Sequence, residues 1–373
     1  MIEIRIAERL ASHNVCALSV RADADVPEVH FAAHPHGGAE TLWFRFAVQV
    51  VVGRAGPVRL VLEHIGNMLG ASDPGAIWPV ISAGEGGWRR LPPGRPRLMP
   101  DGRVSALWDL DLSRGEHRVE IAFCYPYGPS DLNGLLADVG ESVTADEIGV
   151  TQSGRPLPRL STDYGSPGGE TDGVYLIARQ HSGETPGSWV LDGLLRAASA
   201  APSGPAIWAI PFAHLDGVVQ GDYGKDGYPY DLNRAWGAPP MRHETLVIQR
   251  DICLWTHRFR PRLALDLHAP GACETDGVYA FLPQDAEDGG EEYRWAEALR
   301  EAIGPPYAAE QFIRKACYPS RWPTPCFTSH MKRVMGVPAL TLETPYGVAK
   351  GRVLTVEDYR EIGARVHRVL GSC

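Results

Sequence analysis

Three short apolar runs in the second half of the chain each stop on a residue able to bind a metal or to work beside one. Val174-Tyr175-Leu176-Ile177-Ala178 gives way to His181-Ser182-Gly183-Glu184. Arg262-Leu263-Ala264-Leu265-Asp266-Leu267 runs into His268, and Pro338-Ala339-Leu340-Thr341-Leu342 runs into Glu343. Runs of this length bounded by polar residues read as buried β-strands. Helical patterns lie between them, and strands that alternate with helices build a mostly parallel sheet covered on both faces. Ligands of such sheets bind outside the carboxyl ends of the strands, so the three ends can converge.

At 373 residues the chain is long for one domain and suits two. Up to about residue 125 the pattern is β. Residues 41–50, 58–63, 106–112 and 117–123 read as strands, and turns such as Leu91-Pro92-Pro93-Gly94-Arg95-Pro96 separate them. Short strands without a helical period predict a β-sandwich. A stretch rich in Gly, Ser, Asp and Pro, about 126–170, leads into the alternating regime. There Thr185 is placed to cap a helix with Pro186 at its first position, continuing through Trp189, Val190 and Leu194. Residues about 291–303 form another helix. The last, about 356–370, opens on Thr355 with Asp358 three residues on, and Tyr359, Ile362, Val366 and Leu370 make its buried stripe. The predicted class is α/β: an N-terminal antiparallel β-sandwich over 1–128, then a mixed, mostly parallel α/β/α domain over 129–373.

Composition excludes several classes of function. The 36 Lys+Arg against 45 Asp+Glu leave a net charge of −9, and no basic run stands out, which argues against a nucleic-acid or polybasic membrane surface. No apolar run approaches the length of a membrane span, and the first ten residues mix charges into their apolar ones. Seven cysteines, at 16, 124, 253, 273, 317, 326 and 373, are odd in number and lack a C-x-x-C pair. That disfavours a disulfide framework and a cysteine zinc site, and predicts a reducing cytoplasm.

His181-x-x-Glu184 alone fits a surface turn as well as a ligand pair. His268, at a strand end after Asp266, changes that balance, although a strand-end histidine is otherwise a satisfied core residue. One His, one Glu and a distant His make the ligand set of a catalytic zinc, which keeps its fourth position for water. Glu343 is then left as the base. In Asp231-Leu232-Asn233-Arg234-Ala235-Trp236, Asn233 and Arg234 suit a carboxylate, because the guanidinium offers a planar fork. The same residues also suit a surface salt bridge over Trp236. Taken together, the pattern points to metal-dependent hydrolysis.

These segments, with Ala178-Arg179-Gln180-His181-Ser182-Gly183-Glu184-Thr185-Pro186-Gly187-Ser188-Trp189, Asp216-Gly217-Val218-Val219, Leu265-Asp266-Leu267-His268 and Thr341-Leu342-Glu343, resemble the zinc carboxypeptidases. The cytosolic carboxypeptidase branch, which carries an N-terminal β-sandwich, is similar also over Trp43-Phe44-Arg45-Phe46, Gly87-Trp88-Arg89-Arg90 and Cys124-Tyr125-Pro126-Tyr127-Gly128-Pro129-Ser130-Asp131-Leu132. The resemblance implies Zn2+ on His181, Glu184 and His268, with Asp231 orienting a zinc-binding imidazole from behind. It implies Asn233 and Arg234 on the substrate's terminal carboxylate, and Glu343 as general base for a zinc-activated water. The implied partner is a peptide or small amide with a free carboxylate, with no nucleic acid and no membrane.

One position departs from the family pattern. An arginine that stabilises the oxyanion is expected between Asp216-Gly217-Val218 and Asp231, and ungapped counting puts Gly224 there. Lys225, next along, is expected either to supply the charge or to be an ordinary loop lysine. On the first expectation, Gly224→Arg is neutral or mildly activating. Arg321, Lys332 and Arg333 are other sources of charge, and Tyr318, Arg321 and Lys332 are candidates for a lid residue. Cys273, Cys317 and Cys326 are expected to be small buried hydrophobes. Two rival readings remain: a zinc amidase or deacylase acting on an acylated amino acid, and a binding protein whose catalysis has lapsed.

Overall fold

The computed structural model describes residues 2–371 except 8, 9, 39, 54, 55, 84–86, 203, 228 and 317–319. The chain divides into two compact units, one holding residues up to Pro126 with Val219–Tyr223 and Gly271–Glu274, the other holding the rest.

The first unit contains two five-stranded sheets. One runs β1 (Ile2–Ile6), β4 (Arg45–Val52), β10 (Gly115–Ala122), β6 (Val80–Ala83), β7 (Trp88–Arg90) and is antiparallel throughout. The other runs β2 (Cys16–Arg21), β3 (Glu28–Ala32), β5 (Gly56–Leu62), β9 (Val104–Leu112), β8 (Arg95–Leu98). Here β3 and β5 are parallel, a departure from the expected antiparallel sandwich. The chain leaves this sheet for β4 in the other and then returns, so β3 and β5 enter from the same end. Phe31 of β3 packs on Phe46 of β4 with ring centres 4.6 Å apart, joining the two sheets across the core. In β9 the exposed Asp109 and Asp111 alternate with buried Trp108, Leu110 and Leu112, the period-two pattern of a strand with one wet face.

The second unit is built on an eight-stranded sheet in the order β11 (Thr144–Val150), β12 (Pro156–Ser161), β14 (Ala206–Ile210), β13 (Asp172–Ala178), β15 (Arg260–His268), β18 (Ala339–Glu343), β16 (Val278–Leu282), β17 (Ala308–Lys315). Its middle, β14-β13-β15-β18, is parallel, and these strands are buried almost end to end. Such strands need cover on both faces, which explains their continuous apolar runs. The helices are α1 (Pro129–Val139), α2 (Thr185–Ala200), α3 (Leu215–Gln220), α4 (His243–Arg258), α5 (Glu291–Tyr307), α6 (Phe327–Arg333) and α7 (Val356–Leu370), with a small hairpin of β19 (Val348–Ala349) and β20 (Arg352–Val353) before α7. Tyr175 of β13 meets Trp255 of α4 and Phe327 of α6.

Helix α7 begins as its sequence predicts: Asp358 N donates to Thr355 Oγ1 at 3.2 Å, and Thr355 N to Asp358 Oδ2 at 2.8 Å. Its stripe of Tyr359, Ile362, Val366 and Leu370 is buried. Regular geometry in α5 stops at Gly304 and Pro305, close to the predicted end. Helix α2 differs at its start. Thr185 is already helical and Glu184 occupies the cap position without capping, because its carboxylate is turned elsewhere. No helix among the described residues is long and apolar enough to cross a membrane.

Candidate metal centre

Strands β13, β15 and β18 are neighbours and parallel, so their carboxyl ends lie side by side. His268 and Glu343 are the last residues of β15 and β18 and stand opposite each other in register. His181 follows three residues after β13 ends, in the turn that leads to α2. A Cβ on Gly187 would sit 2.6 Å from Leu267 O, so only glycine lets the first turn of α2 come this close to β15. That approach carries Glu184 to His268.

Glu184 is where the two imidazoles meet. His181 Nδ1 lies 2.7 Å from Oε1 and His268 Nδ1 2.7 Å from Oε2 of its carboxylate. One donor atom from each of the three residues falls within 4.8 Å of the others, and all three side chains are buried. Behind the rings stand two more carboxylates: His181 Nε2 is 3.3 Å from Asp231 Oδ2, and His268 Nε2 is 3.0 Å from Asp266 Oδ2. Burial by itself would push both imidazoles down, but the facing carboxylates outweigh it and hold both above their ordinary value. Burial works upward on Glu184 and Asp231, and the imidazoles override it, leaving both well below the usual carboxylate range. Two imidazole nitrogens and a carboxylate are a donor set that fits zinc.

Arg179 supports the turn from below. It takes the left-handed conformation at φ 61° and donates from Nε to Ser182 O at 2.7 Å and from Nη1 to Tyr127 O at 2.9 Å. Burial holds its guanidinium down to about 10.

Asp231 accepts from Asn233 N and Asp226 N, both at 2.8 Å, which pins the loop before it against His181. Asn233 is buried, with Nδ2 3.1 Å from His268 Nε2 and Oδ1 accepting from Phe327 N at 3.0 Å. Arg234 is half-buried and donates to Ser320 Oγ at 3.0 Å and to Asn233 O at 2.8 Å. Segment 320–325 packs on this loop: Arg321 pairs with Asp226 at 2.9 Å and Trp322 stacks near Tyr230. Lys332 pairs instead with Glu292 at 3.0 Å, and Arg333 with Asp285 at 2.8 Å. Tyr318 and Cys317 lie outside the described residues. Cys273 is exposed and Cys326 half-buried, so neither is the buried hydrophobe expected of it; both sit on connecting loops rather than in the core.

Gly224 has φ +86, and a Cβ there would lie 2.5 Å from Ser182 Oγ and 2.7 Å from Ser182 N. Both the backbone and the space exclude a side chain, so the expectation that an arginine fits at this position is corrected. Lys225 follows directly and is half-buried. Asp266, two residues before His268 on β15, reaches the site as well: with a period of two, both side chains leave the same face.

No family model matches the chain. Two curated relatives do: human cytosolic carboxypeptidase 6, 26% identical over 269 residues, and its mouse counterpart, 24% identical over 275. Each alignment covers 66% of this chain, and the chain spans about half the length of these relatives, 53% and 49%. A metallo-carboxypeptidase from Burkholderia cenocepacia superposes with a TM-score of 0.76 at 19% identity, covering 99% of this chain and 97% of that one. In sequence the chain is similar to the cytosolic carboxypeptidases, and in fold to the metallo-carboxypeptidases. The likeness of fold extends over both units, since a metallo-carboxypeptidase from Pseudomonas aeruginosa has a TM-score of 0.71 at 19% identity over 99% of this chain and 98% of that one. That enzyme was solved with (2-guanidinoethylmercapto)succinic acid.

Proposed function

We propose that this protein is a zinc-dependent carboxypeptidase that hydrolyses a C-terminal peptide or amide bond. The observation that carries the reading is the convergence of His181, Glu184 and His268 within 4.8 Å, with Glu343 in register beside His268. These three residues would hold a zinc ion, which would supply Lewis acidity and bring the pKa of a bound water down towards ~7. Glu343 then accepts the water's proton and passes it to the leaving amine. Asp231 holds His181 in place, Asn233 and Arg234 bind the terminal carboxylate, and Lys225 faces the developing oxyanion. The chemistry belongs to residues 129–373, the sandwich to 1–128, and the scattered cysteines suit a cytoplasmic location.

Gly224 favours a second reading, a zinc amidase or deacylase acting on a small acylated amino acid, because the usual arginine has no room there. One assay separates the two. Free-acid and C-terminally amidated peptides are offered to the wild type and to Glu343→Gln. We expect cleavage of the free acids only, and a loss of ~10²-fold or more in the variant with zinc retained. Equal cleavage of amidated peptides would exclude the exopeptidase, and full turnover by the variant would remove Glu343 as base.

A further inference from the structure

The proposed chemistry uses Asp231 and leaves a second buried carboxylate without a task. Asp266 is 1% exposed and sits on β15 two residues before His268. Its Oδ2 lies 3.0 Å from His268 Nε2, accepts from Gln180 Nε2 at 2.7 Å and stands 3.4 Å from Asn233 Nδ2. Both amides are held at their far ends. Gln180 Oε1 accepts from the Trp236 indole at 2.7 Å, and Asn233 Oδ1 from Phe327 N at 3.0 Å.

We infer that Asp266 is a positioning residue for the metal centre: it takes the Nε2 hydrogen of His268, aims the Nδ1 lone pair at the ion, and ties that ligand to the amide of Asn233. The inference rests on the zinc reading. An imidazole that gives Nδ1 to a metal carries its hydrogen on Nε2, and a buried N–H needs an acceptor. Asn233 Nδ2, 3.1 Å from that nitrogen, is itself a donor and cannot accept it. All three donors meet one oxygen, Oδ2, and an ionised carboxylate suits them because it is negatively charged and carries no hydrogen of its own. An asparagine at 266 can set its oxygen where Oδ2 stands, but that oxygen is neutral, and a neutral acceptor holds an imidazole N–H less strongly than a charged one. His268 is then oriented by a weaker partner. Because Asn233 shares the same oxygen, the contact proposed for the substrate carboxylate loosens with it.

The test compares wild type with Asp266→Asn. Zinc affinity is read by competition with a chromogenic chelator at fixed pH, and the thermal midpoint of each metal-free protein is recorded alongside. The expected result is zinc binding weaker by ~10–100-fold with a similar metal-free midpoint. The cobalt-substituted form should show a changed visible spectrum, since the ligand field of His268 has moved. Affinity and cobalt spectrum both equal to wild type would overturn the assignment. If Asp266→Asn does not fold, Asp266→Glu, which displaces the charge by one methylene, is measured the same way, and wild-type values there would overturn it equally. A wild-type chain that takes up no zinc would remove the functional reading itself; tight wild-type binding with an unaffected variant would remove only the role of Asp266.

Discussion

Each unit of this protein buries a histidine among carboxylates, and the two clusters do opposite things with the same groups. In the first unit His30, 2% exposed, is held from both sides: Nε2 is 2.8 Å from Glu28 Oε2 and Nδ1 2.8 Å from Glu63 Oε1. Arg97 reaches Glu28 at 2.7 Å. Both ring nitrogens are spent on carboxylates, so this imidazole acts as a strut between β3 and the end of β5. In the second unit each imidazole gives only one nitrogen to a rear carboxylate and turns the other to Glu184. Two rings aimed inward at one carboxylate make a site that accepts a cation; one ring clamped between two carboxylates makes a structural link. The residue types alone do not distinguish them.

The sharpest way to break this comparison is metal content. Purified wild type should carry about one zinc per chain and His268→Ala close to none, whereas His30→Gln should keep the wild-type amount. Loss of zinc from His30→Gln, or full zinc in His268→Ala, would show that the clusters had been assigned the wrong way round. A smaller effect is expected in stability. His30→Gln leaves two partly buried carboxylates facing an amide, and since Glu28 keeps Arg97 we expect a loss of about 2–3 kcal/mol in urea unfolding. An unchanged midpoint and slope would mean that the strut contributes nothing.

The smallest effect is on pH dependence. Burial pushes Glu28 up, but Arg97 and His30 outweigh it, so its folded pKa lies below the ordinary carboxylate value. A depressed carboxylate stabilises fully above its unfolded pKa of ~4.3, and that stabilisation is lost as pH falls through the lower folded value. Glu28→Gln should therefore flatten the stability curve of the protein on the acid side, below about pH 4, and leave it parallel to wild type at neutral pH. A steeper acid limb in the variant would reverse the sign.

Much of the second unit was legible because its strands are buried on both faces and its helices carry their own start signals, as Thr355 and Asp358 do. The ends of the three apolar runs also marked His181, Glu184, His268 and Glu343 before any geometry was known. Less could be read in the first unit: the strand expected over 41–50 starts at Arg45, and the parallel pairing of β3 with β5 depends on a path through the other sheet that no local pattern encodes.

The sequence by itself determined the alternation of strands and helices, the chemical types at the strand ends and the resemblance to a family, since these depend on residue spacing along one chain. Only the tertiary structure decided which nitrogen of each imidazole faces which carboxylate, because each ring is shared between a near carboxylate and a distant one: His181 between Glu184 and Asp231, and His268 between Asp266 and Glu184. It likewise decided that Gly224 has no room for an arginine, a limit imposed by Ser182 across the turn.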